Sequence, residues 1–288
     1  MTSVPKVIDV ELALQEKIPD IYKKIPGVLI RLMEKVIRQD DMNRMIHESS
    51  HLNGIPLVDW VLDQFGVNIV VKGKKLIPKK GMYIYPANHP IGSLDGLAIV
   101  SVVAKIHPLI KFVANDLLRV IKGFDSISLY IARFGQINRR NAILINKTLA
   151  SEAQLLVQPA GTVSKRNPVK ISDLAWNKFF IHKAIQYKRD VIPIHVQARN
   201  SRLFYNIASF RKIFRIKANL EMFLLPREMF NKSGKTITIT FGIPIAYKTF
   251  DDSRTHLEWA QKVREYVYVL GSEKFSSANT IPAFSEVL

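Results

Sequence analysis

The run Met82-Tyr83-Ile84-Tyr85-Pro86-Ala87-Asn88-His89-Pro90-Ile91-Gly92-Ser93-Leu94-Asp95-Gly96 decides how this chain is read. Its opening, Met82 to Pro86, is a short strand candidate. A loop bearing Pro90 and Gly92 follows, and a helix is predicted from about Asp95 to Lys105. Strand, loop and helix in that order form the repeating unit of an α/β sheet. In such sheets ligands gather beyond the carboxyl ends of strands. The residues after Pro86 are therefore the first place to look for chemistry.

Working outward, the same alternation continues. Val67 to Val71 is a strand rich in β-branched residues, and Lys72, Lys74, Lys75, Lys79 and Lys80 surround Pro78 in a solvated turn. Strands are predicted at Lys111 to Ala114, Phe134 to Asn138, Gln154 to Gln158, Asp190 to Ala198 and Thr236 to Phe241. Helices are predicted at Ala142 to Ala150, Ala175 to Lys188 and Thr255 to Leu270. The first 65 residues read differently, as helices. Val28, Leu29, Leu32, Met33, Val36 and Ile37 recur at helical spacing. Asp40 or Asp41 is the expected cap of a second helix ending at Asn53-Gly54, and a third spans Pro56 to Phe65 with its proline near the first turn. The expected fold class is α/β: a mixed sheet flanked by helices, an αβα sandwich in residues 66–288, preceded by a helical and possible membrane-engaging region in residues 1–65.

Composition narrows the function. The chain has 288 residues, 42 Lys and Arg against 24 Asp and Glu, a net charge of +18, and no cysteine. The missing thiols exclude disulfides, thiolate catalysis, thiolate zinc sites and ordinary iron–sulfur clusters. The positive charge suits a polyanion: an anionic lipid surface, an acidic carrier or cofactor, or nucleic acid. Met1 to Lys17 carries several acids and no apolar core, which is unlike a secretory signal, and Leu97 to Ala104 is too short to span a membrane. A cytoplasmic protein, peripheral on the inner face of the cytoplasmic membrane, is expected.

Within the deciding run, His89 and Asp95 are the chemical pair. A neutral imidazole takes a proton from a hydroxyl near pH 7, and a carboxylate on its other nitrogen fixes the tautomer and stabilises the imidazolium. The plainer reading is a turn in which Asp95 caps a helix beside a surface histidine.

The motifs taken together resemble the glycerophosphate and lysophospholipid acyltransferase superfamily, most closely its haemolysin-like bacterial branch with an N-H-P-x-G-x-L-D-G pattern. Gly135-Gln136-Ile137-Asn138-Arg139-Arg140 resembles the second motif, Gln158-Pro159-Ala160-Gly161-Thr162-Val163-Ser164 the third, and Val191-Ile192-Pro193-Ile194 the fourth. The resemblance implies transfer of a fatty acyl chain from acyl carrier protein or coenzyme A to a lipid acceptor. By it, His89 is the general base and Asp95 its orienter. Asn88, Gly92, Ser93 and Pro159 join the substrate-binding set, Arg139 or Arg140 holds an anionic group, and Gly161 and Thr162 line the acceptor site. No metal or resident cofactor is implied, because a thioester is already activated.

Three departures stand out. The His89–Asp95 spacing is one residue longer than the commoner form, and the second-motif arginine sits closer to Gly135 than usual. Ala160 occupies the place of a glutamate that, in the family, helps hold glycerophosphate. Alanine has no side-chain acceptor, which opens the site to another hydroxyl-bearing lipid such as an N-acylated amino-acid lipid.

Two other segments compete for attention. His47-Glu48-Ser49-Ser50-His51 matches the zinc-protease pattern, but Leu57 stands where a third histidine belongs in the extended form. Arg199 to Lys217 combines Arg199, Arg202, Arg211, Lys212, Arg215 and Lys217 with an apolar stripe of Leu203, Ile207, Phe210, Ile213 and Phe214. That is the pattern of a membrane-surface helix or of a core helix with a basic rim. The alternative functions are a non-catalytic basic protein binding lipid or nucleic acid and, less favoured, a zinc metallohydrolase through His47, Glu48 and His51. No nucleic-acid module is recognisable, which disfavours nucleic acid as the partner. His107, His182, His195 and His256 lack a carboxylate at an informative spacing and read as structural.

Overall fold

The computed structural model describes residues 6–17, 19–131, 139–167, 170–215, 219–272 and 281–287. In chain order its helices are α1 (Val10–Lys17), α2 (Pro19–Tyr22), α3 (Gly27–Ile37), α4 (Gln39–Glu48), α5 (Ile55–Gln64), α6 (Ser93–Ala104), α7 (Arg139–Leu149), α8 (Phe179–Tyr187), α9 (Arg202–Ile213), α10 (Leu225–Phe230) and α11 (His256–Leu270). The strands are β1 (Asn68–Lys72), β2 (Tyr83–Pro86), β3 (Ile110–Asn115), β4 (Ser128–Ile131), β5 (Gln154–Val157), β6 (Lys165–Arg166), β7 (Ile171–Ser172), β8 (Asp190–Val191), β9 (Ile194–Gln197) and β10 (Thr236–Phe241).

Five strands form a parallel sheet in the order β4-β3-β5-β2-β8. Three more form the order β1-β10-β9, with β1 parallel and β9 antiparallel to β10. A bridge between Ala87 and Ile194 connects the two. The central strands β2 and β5 are buried along their whole length, as parallel strands covered on both faces must be. Their side chains alternate between two cores. Tyr83, Tyr85 and Leu156 face a cluster with α5 and α6, while Ile84, Leu155 and Val157 face one with α7, α8 and α11. The α/β sandwich expected from the sequence is what forms. Helix α6 is buried from Leu94 to Ala104, which its almost wholly apolar sequence requires.

Several expectations need correction. Asp190 to Ala198 is not one strand. Pro193 has no N–H for the ladder, so the run breaks into β8 and β9, which pair in different sheets. Neither Asp40 nor Asp41 caps α4. The junction with α3 is Arg38 in a left-handed conformation, and Asp41 instead pairs with Arg38 and Arg44, each at 2.6 Å. Helix α4 ends at Glu48 rather than at Asn53-Gly54. His51 therefore lies beyond the helix, so the zinc-protease pattern has no helix to put both histidines on one face. Helix α8 starts at Phe179 rather than Ala175, because the Asn177 N–H and side-chain amide both bond the Pro159 carbonyl and hold the chain out of helix. Strand β4 was not anticipated; the strand expected at Phe134 to Asn138 lies outside the described residues.

Arg189 closes one end of this frame. It is fully buried, and its guanidinium donates to the carbonyls of Leu149 (3.0 and 2.7 Å), Ala153 (2.6 Å) and Ser151, at the end of α7. A cation there complements the carbonyl end of the helix dipole. Burial lowers its pKa to about 10, so it stays charged at neutral pH. Arg189→Met should reduce the unfolding free energy by about 3 kcal/mol in urea titration, since it orphans several buried acceptors. A loss below about 1 kcal/mol would show that these carbonyls do not depend on the guanidinium.

Candidate active site

The loop from β2 into α6 carries His89 and ends with Asp95 in the first turn of the helix. Gly92 makes the turn possible. Its φ of 89° is a conformation that L side chains rarely adopt, and an added Cβ would meet Leu225 at 3.4 Å. Asp95 is not a helix cap; the N-cap is Gly92, without a side-chain bond. Instead the Asp95 carboxylate, 0% exposed, accepts from His89 Nδ1 at 3.0 and 3.2 Å. It also accepts from the Ile91 N–H at 3.0 Å, the Gly96 N–H at 2.7 Å and Gln158 Nε2 at 2.8 Å.

Because an ionised carboxylate only accepts, Nδ1 carries the proton. Nε2 is left with the lone pair that a general base needs. The imidazole is partly open to solvent, its side chain 18% exposed. Burial works against the imidazolium. The Asp95 charge and hydrogen bond, with the Asp173 charge behind them, outweigh it, and His89 titrates above its ordinary value.

Two neighbours complete the arrangement, and sequence reasoning missed both. Gln158, at the end of β5, locks Asp95 from the third motif. Its local signal was a polar residue directly after the apolar run Leu155-Leu156-Val157. Asp173 accepts the His89 N–H at 3.2 Å across 84 residues of chain, and nothing in the local sequence announced it.

The other expected site residues are placed as follows. Asn88 is buried, and its amide bonds both the N–H and the carbonyl of Val196, at 2.6 and 2.9 Å, so it fastens β2 to β9. Gly92 and Ser93 stand at the start of α6, and Ser93 is half-buried. Pro159 is buried behind β5, and its carbonyl takes both Asn177 donors. Ala160 packs against the core, Gly161 is exposed at a φ of 65°, and Thr162 is half-buried. Arg139 opens α7 exposed to solvent, and no hydrogen bond among the described residues ties it to His89. The Arg140 side chain and Gly135 to Asn138 lie outside the described residues.

A buried carboxylate and an imidazole thus meet at a parallel-strand terminus of an α/β sandwich, an arrangement chemically suited to proton transfer. Residues 12–276 match the family model described as Acyltransferase, and the chain belongs to that family. It is an acyltransferase. Two relatives are the lyso-glycine lipid O-acyltransferases of Bacteroides thetaiotaomicron and Phocaeicola vulgatus. They are 37% and 33% identical over 265 residues, covering 92% of this chain in both cases and 97% and 95% of theirs. A solved structure, the 1-acyl-sn-glycerophosphate acyltransferase of Thermotoga maritima, aligns at a TM-score of 0.47 and 19% identity, over 76% of this chain and 80% of that one.

The pH dependence follows from the sign of the His89 shift. With His89 as the base, which must be deprotonated to work, its raised pKa predicts that kcat/KM falls as pH drops through a value above the ordinary 6.5. Asp95→Asn removes the charge that raises this pKa. The acid limb should then move down in pH and the plateau rate fall by about 10³- to 10⁴-fold, as when the orienting carboxylate of a triad is neutralised. A wild-type acid limb below pH 6.5, or an Asp95→Asn limb that does not move, would contradict the assignment.

Proposed function

We propose that the chain is a lipid O-acyltransferase whose acceptor is a lyso-glycine lipid or a closely similar N-acyl amino-acid lipid, working at a membrane surface. The observation that carries this reading is the His89–Asp95 pair at the carboxyl end of β2. The acceptor comes from the two relatives, matched over nearly their whole length. Ala160 supports it. A small side chain packed on the core offers no hydrogen-bond acceptor for a glycerophosphate.

The proposed step conserves every proton. His89 Nε2 takes the proton of the acceptor hydroxyl as the oxygen attacks the thioester carbonyl, forming the C–O bond and a tetrahedral oxyanion. Collapse breaks the C–S bond, and the leaving thiolate takes the proton back from His89. The donor is acyl carrier protein or coenzyme A, both acidic partners for a chain of charge +18. Arg139 and Arg140 are assigned to an anionic group of donor or acceptor, and Gly92, Ser93, Gly161 and Thr162 to the acceptor pocket. The thioester supplies the activation, so the step as proposed runs on protein groups alone.

The membrane reading has its own support. No helix among the described residues is long and apolar enough to cross a membrane. Yet Val28, Leu29 and Leu32 on α3, Leu203, Phe210 and Ile213 on α9, Phe214 just after it, and Phe223 are all exposed. Beneath them, Val36, Phe204, Tyr205, Met222, Leu224 and Leu225 form one cluster with Val163 of the third motif. The apolar surface is thus carried by elements packed against the active-site loops. The exposed cations Arg31, Lys35, Arg202 and Arg215 lie on or beside the same elements, as anionic headgroups would require. The inner face of the cytoplasmic membrane is the surface we assign.

Mass spectrometry tests the chemistry. Wild type and His89→Ala are each given acyl carrier protein and coenzyme A thioesters, with lyso-glycine lipid and lysophospholipids as acceptors. Product from wild type alone, richest with lyso-glycine lipid, is expected; equal product from His89→Ala would sink the mechanism. Vesicle flotation tests the surface. Phe210→Asp/Phe214→Asp should reduce binding to anionic vesicles by about tenfold or more, since it buries two charges where apolar rings belonged. Undiminished flotation would move the contact elsewhere.

A further inference from the structure

We propose that Asp173 is a positioning residue for acyl transfer: its carboxylate pins the backbone of His89 and sets a second negative charge beside the imidazole. The proposal rests on the reading of His89 as the base.

The geometry is a closed triangle of three chain segments. Asp173 Oδ1 accepts the His89 N–H at 3.2 Å and the Ser164 hydroxyl at 2.5 Å. The Ser164 N–H in turn donates to the His89 carbonyl at 2.7 Å. Both backbone groups of His89 are therefore fixed, one by a carboxylate and one by the last residue of the third motif. Asp95 holds the imidazole, while Asp173 and Ser164 hold the chain from which it projects. A base must lie within about 0.5 Å of its working position, and control of the side chain alone leaves the backbone free to move it.

The carboxylate is built in. Asp173 is 3% exposed, and Oδ2 accepts Trp176 Nε1 at 2.9 Å. Its own N–H donates to the Tyr268 hydroxyl at 2.6 Å, and Arg264 donates to its carbonyl at 2.6 Å. Every group meeting the carboxylate is a donor, the surroundings of an anion rather than of a neutral acid. Burial holds the Asp173 pKa above its ordinary value, and the bonds from Ser164, Trp176 and His89 and the His89 charge offset only part of that rise.

The charged and titratable groups that meet His89 are Asp95 and Asp173, and those around Asp173 reach it from α11 and, through the Tyr268 ring, from β9. Asp95 lies on α6, Asp173 after β7, Tyr268 and Arg264 on α11, and His195 on β9. Lys170 sits 5.8 Å above the Tyr268 ring, and Arg264 sits 5.3 Å from it. Burial keeps Tyr268 a neutral phenol, and it lowers His195 to about 4, so that ring is neutral too. The negative charges at His89 are thus the two carboxylates. A structural role alone would leave this charge irrelevant to the rate.

The test uses the purified full chain, with an acyl thioester donor and lyso-glycine lipid. Asp173→Asn keeps an acceptor for the His89 N–H but removes the charge. It should lower kcat about tenfold with little change in KM, and move the acid limb of kcat/KM to lower pH. Wild-type kcat and an unmoved limb in a folded Asp173→Asn protein would overturn the proposal. If that variant does not fold, Ser164→Ala is decisive, because it keeps the carboxylate and loosens one hold on it. A drop in kcat of about threefold or more at unchanged KM supports the proposal, and an unchanged kcat overturns it. His89→Gln, run alongside, separates the two readings. Its inactivity leaves the base assignment standing whatever Asp173 does, whereas full activity would remove that assignment and this proposal together.

Discussion

A carboxylate with no exposed surface dictates the arrangement of this site. Asp95 can remain charged in the interior only if its lone pairs are taken, because an unpaired buried charge is among the most expensive features a fold can carry. The donors that take them come from three places: the His89 ring and Ile91 N–H in the loop, the Gly96 N–H in α6, and the Gln158 amide at the end of β5. Satisfying one charge therefore fixes the exit from β2, the start of α6 and the neighbouring strand relative to each other. Gly92, at its positive φ, is the hinge that lets the chain turn tightly enough to do so.

A similar logic extends toward the apolar face. Glu228 is fully buried under α9 and takes the Ser201 N–H and hydroxyl, both at 2.6 Å, with Lys232 at 3.8 Å. Glu221, nearly as buried, pairs with Arg211 at 2.9 Å. Asn200, just before α9, donates to the carbonyl of Pro90 in the catalytic loop at 3.3 Å. The start of α9 is thereby tied to that loop by Asn200, the Glu221 and Glu228 bonds hold α9 to the residues that follow it, and Phe210, Phe214 and Phe223 are left exposed. The surface proposed to meet lipid and the loop proposed to carry the base are joined through Asn200.

What could be read from the chain, and what could not, divides by the range of the interactions. The β2–α6 unit and its His89–Asp95 pair were legible because strand, glycine turn and helix lie within one short run. The break at Pro193 carried a local signal as well, a missing donor, but the apolar stretch around it matched a single strand. Helix α9 misleads for a different reason: Phe204, Tyr205 and Ala208 face inward while Leu203, Phe210 and Ile213 face out. With apolar residues on both sides, periodicity identifies a helix without saying which side is buried. Asp173 was out of reach, since its role depends on a contact with His89 that only the folded chain makes.

Opposing forces meet at His89. Burial by itself favours the neutral ring and would push the pKa below its ordinary 6.5, giving a weak base. Asp95 counteracts this directly and Asp173 from behind the backbone, and together they carry the pKa past 6.5. Too strong a pull would leave the ring protonated at working pH and useless as an acceptor of protons. Brønsted behaviour favours a base whose pKa lies near that pH. In the proposed arrangement the second carboxylate sits at one remove, on the peptide N–H of His89, where its charge is felt but no bond competes for Nδ1.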